Sequence, residues 1–163
     1  PVVRDKDGVS ALLHFLDLAS EQKSSGRTVL DALEDLYRRY GFHLSEQVAI
    51  KLPGEAGRRK ISSLLDSLRL DPPNSVAGVE VMNSVDFAGG VDDLPPSNVL
   101  AFYLADRSRI LVRPSGTEPK IKFYFESAVS LNIDDSLVSG ENGALEQLSS
   151  VQRDFLNLLE LSD

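Results

Sequence analysis

The stretch that decides the fold spans residues 109–126 and reads RILVRPSGTEPKIKFYFE. In residues 109–113, Ile110 and Val112 share one face and both arginines share the other with Leu111, which is the two-residue period of a half-buried strand. Residues 120–126 alternate in the same way, with isoleucine and phenylalanine on one side and lysine and tyrosine on the other. The pattern predicts two neighbouring strands joined by a polar turn at residues 114–119.

The turn at residues 114–119 is chemically suited to an anion. A proline at each end restricts the backbone, and glycine at position 116 allows a conformation closed to other residues. Successive backbone N–H groups of Ser115, Gly116 and Thr117 can converge into a concave nest, and two hydroxyls add further donors. These residues predict a binding site for an oxyanion such as phosphate.

Charged side chains surround the turn. Arg113 can give a bidentate fork to phosphate oxygens, and Lys122 adds a positive charge from the following strand, beside Lys120. Glu118 opposes an anion, so we expect its carboxylate to turn outward or to pair with a lysine. The residue types alone also fit a surface hairpin whose charges are solvated.

The ten residues 113–122, RPSGTEPKIK, resemble the C-terminal phosphate-binding loop of the α-D-phosphohexomutases, the family of phosphomannomutase and phosphoglucomutase. Other stretches resemble the same family in the same order. Residues 4–11 are similar to the segment that opens a helix after the family's sugar-recognition loop. Residues 69–73 and 76–79 are similar to the helix exit and first strand of its last domain. The resemblance covers most of the chain and weakens after Ala128.

The resemblance implies an α+β fold. Residues 42–163 would form the C-terminal phosphate-binding domain, a mainly antiparallel sheet of about four strands with flanking helices, similar to the TATA-binding protein. Residues 1–41 would be the last helices of the preceding domain, a helical hairpin whose apolar stripes are partly uncovered.

The resemblance also implies a site and a reaction. Arg113, Ser115, Gly116, Thr117 and Lys122 would hold the substrate phosphate that is not transferred, with a role in binding and not in bond-making. The parent enzyme would interconvert hexose 1-phosphate and hexose 6-phosphate through a hexose 1,6-bisphosphate, using a phosphoserine and Mg²⁺. The family's serine, magnesium and sugar-loop runs do not occur in this sequence, so we expect no catalytic residue, no metal site and no activity of the chain alone.

Helical and strand periodicity predicts the remaining elements. Asp7 and Thr28 are the expected N-caps of the first two helices, and Thr28 forms an imperfect capping box with Asp31. The stretch at residues 130–143, rich in serine, asparagine, aspartate and glycine, is expected to be a flexible loop. The expected helices cover residues 7–25, 28–40, 55–70 and 144–161, and the other strands cover 42–52, 76–81 with an extension to 87, and 99–104.

Composition limits the function. The chain has 163 residues, no cysteine and a net charge of −8, which disfavours disulfides, thiolate chemistry and nonspecific nucleic-acid binding. No apolar run approaches the roughly 18 residues of a membrane span, so a cytoplasmic protein is expected. The expected partners are a phosphosugar and the remaining domains of the parent enzyme. An alternative is a stand-alone acidic protein-interaction domain in which the basic turn is incidental.

Overall fold

The described part of the chain, residues 6–132 and 134–161 of a computed structural model, folds into four α-helices and one six-stranded sheet. The strands lie in the order β1-β6-β5-β4-β3-β2, and each pairs antiparallel with its neighbours. This confirms the expected α+β fold with an antiparallel sheet. The elements are α1 Gly8–Ser24, α2 Val29–Tyr40, β1 Phe42–Lys51, α3 Gly54–Leu70, β2 Ser75–Val76, β3 Val79–Asp86, β4 Leu100–Leu104, β5 Arg109–Pro114, β6 Lys120–Val129 and α4 Leu137–Leu158.

The sheet has six strands where about four were expected. The expected strand at residues 76–81 is in fact a tight hairpin of β2 and β3. Ala77 and Gly78 form its turn with positive φ angles of 52° and 76°, so the chain reverses where the sequence pattern indicated a continuous strand.

The core lies between one face of the sheet and the helices α3 and α4. Alternate residues of the central strands are fully buried on this face, as the two-residue period predicts. Phe155 of α4 is completely buried and has its ring centroid 5.7 Å from that of Phe102, 6.1 Å from Phe123 and 6.2 Å from Phe125. These aromatic contacts fix α4 against the strands that carry the polar turn.

The expectation of a flexible loop at residues 130–143 is wrong for its second half, because α4 begins at Leu137 and not at Ala144. Ser136 caps the helix by accepting a hydrogen bond from the Ser139 N–H at 3.1 Å. Gly140 is buried, and a Cβ there would come 2.3 Å from the Leu131 side chain. The glycine that suggests a loop in the sequence allows close packing of a helix in the structure.

The first two helices have the expected caps and exposed apolar faces. Asp7 accepts hydrogen bonds from the first backbone N–H groups of α1, and Thr28 and Asp31 form the complete capping box of α2. Within the described residues no side chain of either helix is buried. The stacked rings of Tyr37 and Phe42, with centroids 4.3 Å apart, connect α2 to the sheet. The domain boundary between residues 41 and 42 stays a prediction.

Candidate functional site

The polar turn, residues 114–119, joins β5 to β6 at one end of the sheet. Its ends are closed by a hydrogen bond from the Ser115 N–H to the Lys120 carbonyl, at 2.8 Å. The Leu52 N–H donates to the Pro119 carbonyl at 2.9 Å, so the end of β1 also supports the turn. The turn therefore projects from three strands that the core holds in place.

Two consecutive backbone N–H groups of the turn are available to a ligand. Those of Gly116 and Thr117 donate no hydrogen bond to any described residue, and both residues are exposed. The Ser115 hydroxyl accepts a hydrogen bond from the Glu118 N–H at 3.3 Å, which leaves its own O–H free to donate. The turn thus offers up to three donors within three residues.

Gly116 does not use the conformation that glycine allows. Its φ lies outside the positive region in which glycine is favoured, and a Cβ there would have no heavy atom within 4 Å. The turn therefore does not need glycine for its backbone. The absent side chain leaves open space at this position of the turn.

Four cations lie beside the turn in two rows across the strands. Arg113 is the direct partner of Lys122 in the β5–β6 register, and Lys51 is the partner of Lys120 in the β1–β6 register. Because Lys120 and Lys122 alternate with buried Ile121, these rows lie on the sheet face opposite to the helices. The Arg113 side chain is exposed and makes no hydrogen bond or ion pair with the described residues.

Glu118 pairs with a lysine, as expected. Its carboxylate accepts a hydrogen bond from the Lys120 ammonium at 2.6 Å. This hydrogen bond and the charge of Lys120 hold the pKa of Glu118 below its ordinary value, and the charges of Lys51 and Lys122 lower it further.

On the helical side of the sheet, the turn borders an open cleft of about 360 Å³. Arg69 is fixed at the cleft by hydrogen bonds to Asp86 at 3.0 Å and to Asn98 at 2.5 Å. The cleft is lined by Arg58, Ile61, Ser62, Leu65, Arg69, Asn98, Pro114, Ser115, Gly116, Glu118, Pro119 and Lys120.

The five predicted site residues are thus close together along the chain but lie on two sides of the sheet end. Ser115 and Gly116 border the cleft, whereas Arg113 and Lys122 lie on the opposite face, and Thr117 is at the exposed tip. Sequence reasoning missed Lys51, Asn98 and the cleft-facing Arg58. Lys51 could be recognised only from the pairing of β1 with β6, which no local pattern gives.

Within residues 6–132 and 134–161, no three carboxylate or histidine side chains are grouped so that they could hold a metal ion. None of the helices in the same residues has the length and apolarity needed to cross a membrane.

The fold and the turn together define an α+β domain with a polar turn and four cations at one end of an antiparallel sheet. Residues 69–137 match the family described as phosphoglucomutase/phosphomannomutase, C-terminal domain. The chain is 38% identical over 125 residues to a probable phosphomannomutase of Haemophilus influenzae, covering 77% of this chain and 24% of that protein. It is also 38% identical over 146 residues to a phosphoglucomutase of Staphylococcus aureus, covering 83% of this chain and 26% of that protein.

The open form of pp63/parafusin, a phosphoglucomutase from Paramecium, has a similar fold. It superposes with a TM-score of 0.65 at 20% sequence identity, over 98% of this chain and 28% of that one. The chain therefore belongs to the phosphoglucomutase and phosphomannomutase family, whose C-terminal domain it contains. It spans about a quarter of the length of the relatives that it matches.

Proposed function

We propose that the chain is the C-terminal part of a phosphohexomutase that interconverts hexose 1-phosphate and hexose 6-phosphate through a hexose 1,6-bisphosphate. In this proposal the turn at residues 114–119 holds the phosphate that is not being transferred. The two consecutive unpaired N–H groups of Gly116 and Thr117, beside the unpaired Arg113, are the observation that carries it.

The chemistry of the turn suits a phosphate better than it suits a sugar ring. Backbone N–H groups and a guanidinium fork donate in fixed directions to the tetrahedral oxygens of a phosphate. Arg113, Ser115, Gly116 and Thr117 would contact these oxygens, and Lys122 would add charge from the neighbouring strand. Such a site accepts the phosphate of either substrate orientation, which a reaction that moves phosphate between two ends of one sugar requires.

The binding energy of this chain alone is expected to be small. Charge-assisted hydrogen bonds contribute roughly 1.5–3 kcal/mol each, but immobilising the ligand costs several kcal/mol. Without contacts to the sugar, we expect a dissociation constant for phosphate on the order of 1 mM, or about −4 kcal/mol.

The phosphoserine and the Mg²⁺ of the proposed reaction belong to other parts of the parent enzyme. No group of three carboxylate or histidine side chains suited to a metal ion occurs within residues 6–132 and 134–161. We propose that the chain binds and orients the phosphosugar, that the bisphosphate serves as intermediate and activator, and that the reaction takes place in the cytoplasm. The chain alone should show no mutase activity.

The remaining domains of the parent enzyme are the proposed partners of α1 and α2. Both helices expose large apolar side chains, among them Val9 at 73% and Leu30 at 74% exposure, in a chain that spans a quarter of its relatives' length. A preceding domain would cover these faces. The same exposed faces favour the second candidate function, an acidic domain that binds another protein.

Titration with inorganic phosphate, followed by amide NMR of the labelled chain, tests the proposal and separates the two candidates. If the turn binds phosphate, the Gly116 and Thr117 amide resonances should shift before any others, and their shifts should saturate. A protein-interaction domain with an incidental turn leaves these resonances unchanged. In a coupled mutase assay, turnover by this chain alone would contradict the proposed division of labour.

A further inference from the structure

Glu118 places a negative charge among the cations of the turn. Its carboxylate is bonded to the Lys120 ammonium at 2.6 Å, and Lys51 lies across the strand from Lys120. Lys122 follows two residues after Lys120 on the same sheet face. The depressed pKa of Glu118 reflects all three lysines, with Lys120 as the largest contributor.

This arrangement offsets repulsion in the free protein. Like charges directly opposite each other on neighbouring strands destabilise a sheet, and both Lys51 with Lys120 and Arg113 with Lys122 are such pairs. The Glu118 carboxylate neutralises part of this charge as an internal anion would. A bound phosphate would supply the same compensation.

The Glu118 carboxylate can also move away from Lys120. The Glu118 side chain is 56% exposed, whereas that of Lys120 is 20% exposed and held against the turn. The Glu118 backbone, by contrast, is held in place because its N–H donates to the Ser115 hydroxyl. Rotation of one side chain would therefore release Lys120 without rebuilding the turn.

We infer that Glu118 is a built-in competitor of the phosphate, which holds Lys120 whenever phosphate is not bound and thereby limits the affinity of the turn. The inference rests on the proposed function, because it concerns the same site. A phosphate bound to the Gly116 and Thr117 N–H groups would lie next to Glu118 along the chain. The same lysines would attract it. Competition of this kind keeps the phosphate exchangeable, which suits a substrate that must be released and rebound during its reaction.

The Glu118→Gln variant of the full chain tests this competition. Inorganic phosphate is titrated at pH 8 and 0.15 M ionic strength, with the Gly116 and Thr117 amide shifts as readout. Because the ion pair that competes with phosphate is removed, loss of the carboxylate should tighten phosphate binding by about fivefold. The amide spectrum of each variant also shows that the turn is still folded.

Glu146→Gln is the matched control, since it changes the net charge by the same amount. Glu146 is exposed on α4, near Ala144, whose carbonyl accepts a hydrogen bond from Ser127. Ser127 lies seven residues along β6 from Lys120, which is about 23 Å at 3.3 Å per residue. The Debye length is about 8 Å at this ionic strength, so the control should change the affinity by less than about twofold.

A double-mutant cycle with Lys120→Met distinguishes competition from simple repulsion. Because Glu118 occupies Lys120 in the unsubstituted chain, Lys120→Met alone should change the affinity for phosphate by less than about twofold. In the Glu118→Gln background the same substitution should remove the gain of about fivefold. Additive effects of the two substitutions would overturn the inference.

The outcomes separate the inference from the proposed function. If Gly116 and Thr117 respond to phosphate but Glu118→Gln binds no tighter, the competition is wrong and the phosphate site stands. The expected dissociation constant for phosphate is about 1 mM. If neither the unsubstituted chain nor Glu118→Gln responds to phosphate at a concentration about 50-fold above this value, both proposals are wrong.

Discussion

Arg113 and Lys122 lie directly opposite each other on β5 and β6, with both side chains on the sheet face away from the helices. Like charges in such a cross-strand pair cost roughly 0.2–1 kcal/mol. Arg113→Met should therefore raise the free energy of unfolding by up to about 0.5 kcal/mol. It should also weaken phosphate binding by about tenfold or more, because a charge-assisted hydrogen bond is lost. Urea unfolding and the phosphate titration measure the two effects.

Arg109→Met is the control for this prediction. Arg109 lies on the same strand and the same face, but it is paired with Glu126 through two hydrogen bonds of 2.7 Å and 2.9 Å. Its loss should lower stability by about 0.5–1 kcal/mol and leave the affinity for phosphate unchanged. Equal loss of affinity in both variants would mean that general positive charge, and not the Arg113 fork, attracts the anion.

Gly116→Ala separates binding from folding at the tip of the turn. The φ of Gly116 is one that alanine accepts and the Cβ position is open, so stability should change by less than about 1 kcal/mol. The new methyl group adds bulk on a residue that carries one of the two free N–H groups, so phosphate affinity should fall by severalfold. Thermal unfolding and amide NMR report on the two properties.

Gly78→Ala should give the opposite result. Gly78 also has open space around its Cβ position, but its φ is 76°, which strains an alanine by roughly 1–2 kcal/mol. This variant should lose stability and keep its phosphate affinity. If Gly116→Ala binds phosphate as well as the unsubstituted chain, the ligand does not occupy the space assigned to it.

Gly57 sits where α3 touches the end of β1. A Cβ there would lie 1.8 Å from the Leu52 carbonyl oxygen, a backbone atom that cannot rotate away. Gly57→Ala should therefore destabilise the protein by about 3 kcal/mol or more. Gly143→Ala in α4 is the control, because its Cβ would meet Val129 at an ordinary 3.8 Å, and better helix propensity should stabilise it by roughly 0.5–1 kcal/mol. Urea unfolding of both variants checks the contrast.

Local rules predicted much of this fold because local forces decide much of it. The caps at Asp7 and Thr28, the alternation in β5 and β6 and the pairing of Glu118 with Lys120 each depend on residues within a few positions of one another. The sequence contains this information directly.

The features that the sequence pattern did not predict depend instead on tertiary packing. The start of α4 was missed because Gly140 is explained by its contact with Leu131 and not by its own propensity. Lys51 lies next to Lys120 because of the register in which β1 pairs with β6. The cleft forms because α3 packs beside the turn. None of these relations has a local signature.

Removal of residues 1–40 tests whether residues 42–163 form an independent domain. The deletion costs the stacking of Tyr37 on Phe42 and the hydrogen bond from Arg107 to the Tyr40 carbonyl at 3.0 Å. These contacts are worth roughly 1–2 kcal/mol together, so the shortened chain should stay folded. It should also bind less of a hydrophobic dye, because the exposed apolar faces of α1 and α2 are gone. Circular dichroism and dye fluorescence measure both results.

Truncation before α4 is the contrasting deletion. It removes Phe155, which is fully buried against three other phenylalanines, and should unfold the domain. If removal of residues 1–40 were equally damaging, the boundary between residues 41 and 42 would not separate two domains.

The ionisation of Glu118 gives a test that needs no ligand. Its folded pKa lies below the ordinary value of 4.5 because Lys120 donates a hydrogen bond to the carboxylate and adds positive charge. A carboxylate with a depressed folded pKa stabilises the folded state above its unfolded pKa, and this contribution is lost as the pH falls through the folded pKa. Carbon-detected NMR of the Glu118 carboxyl group should show a midpoint below 4.5, and Lys120→Met should move it upward. A midpoint at or above 4.5 in the unsubstituted chain would show that the carboxylate does not hold Lys120 in solution, and the proposed competition would lose its physical basis.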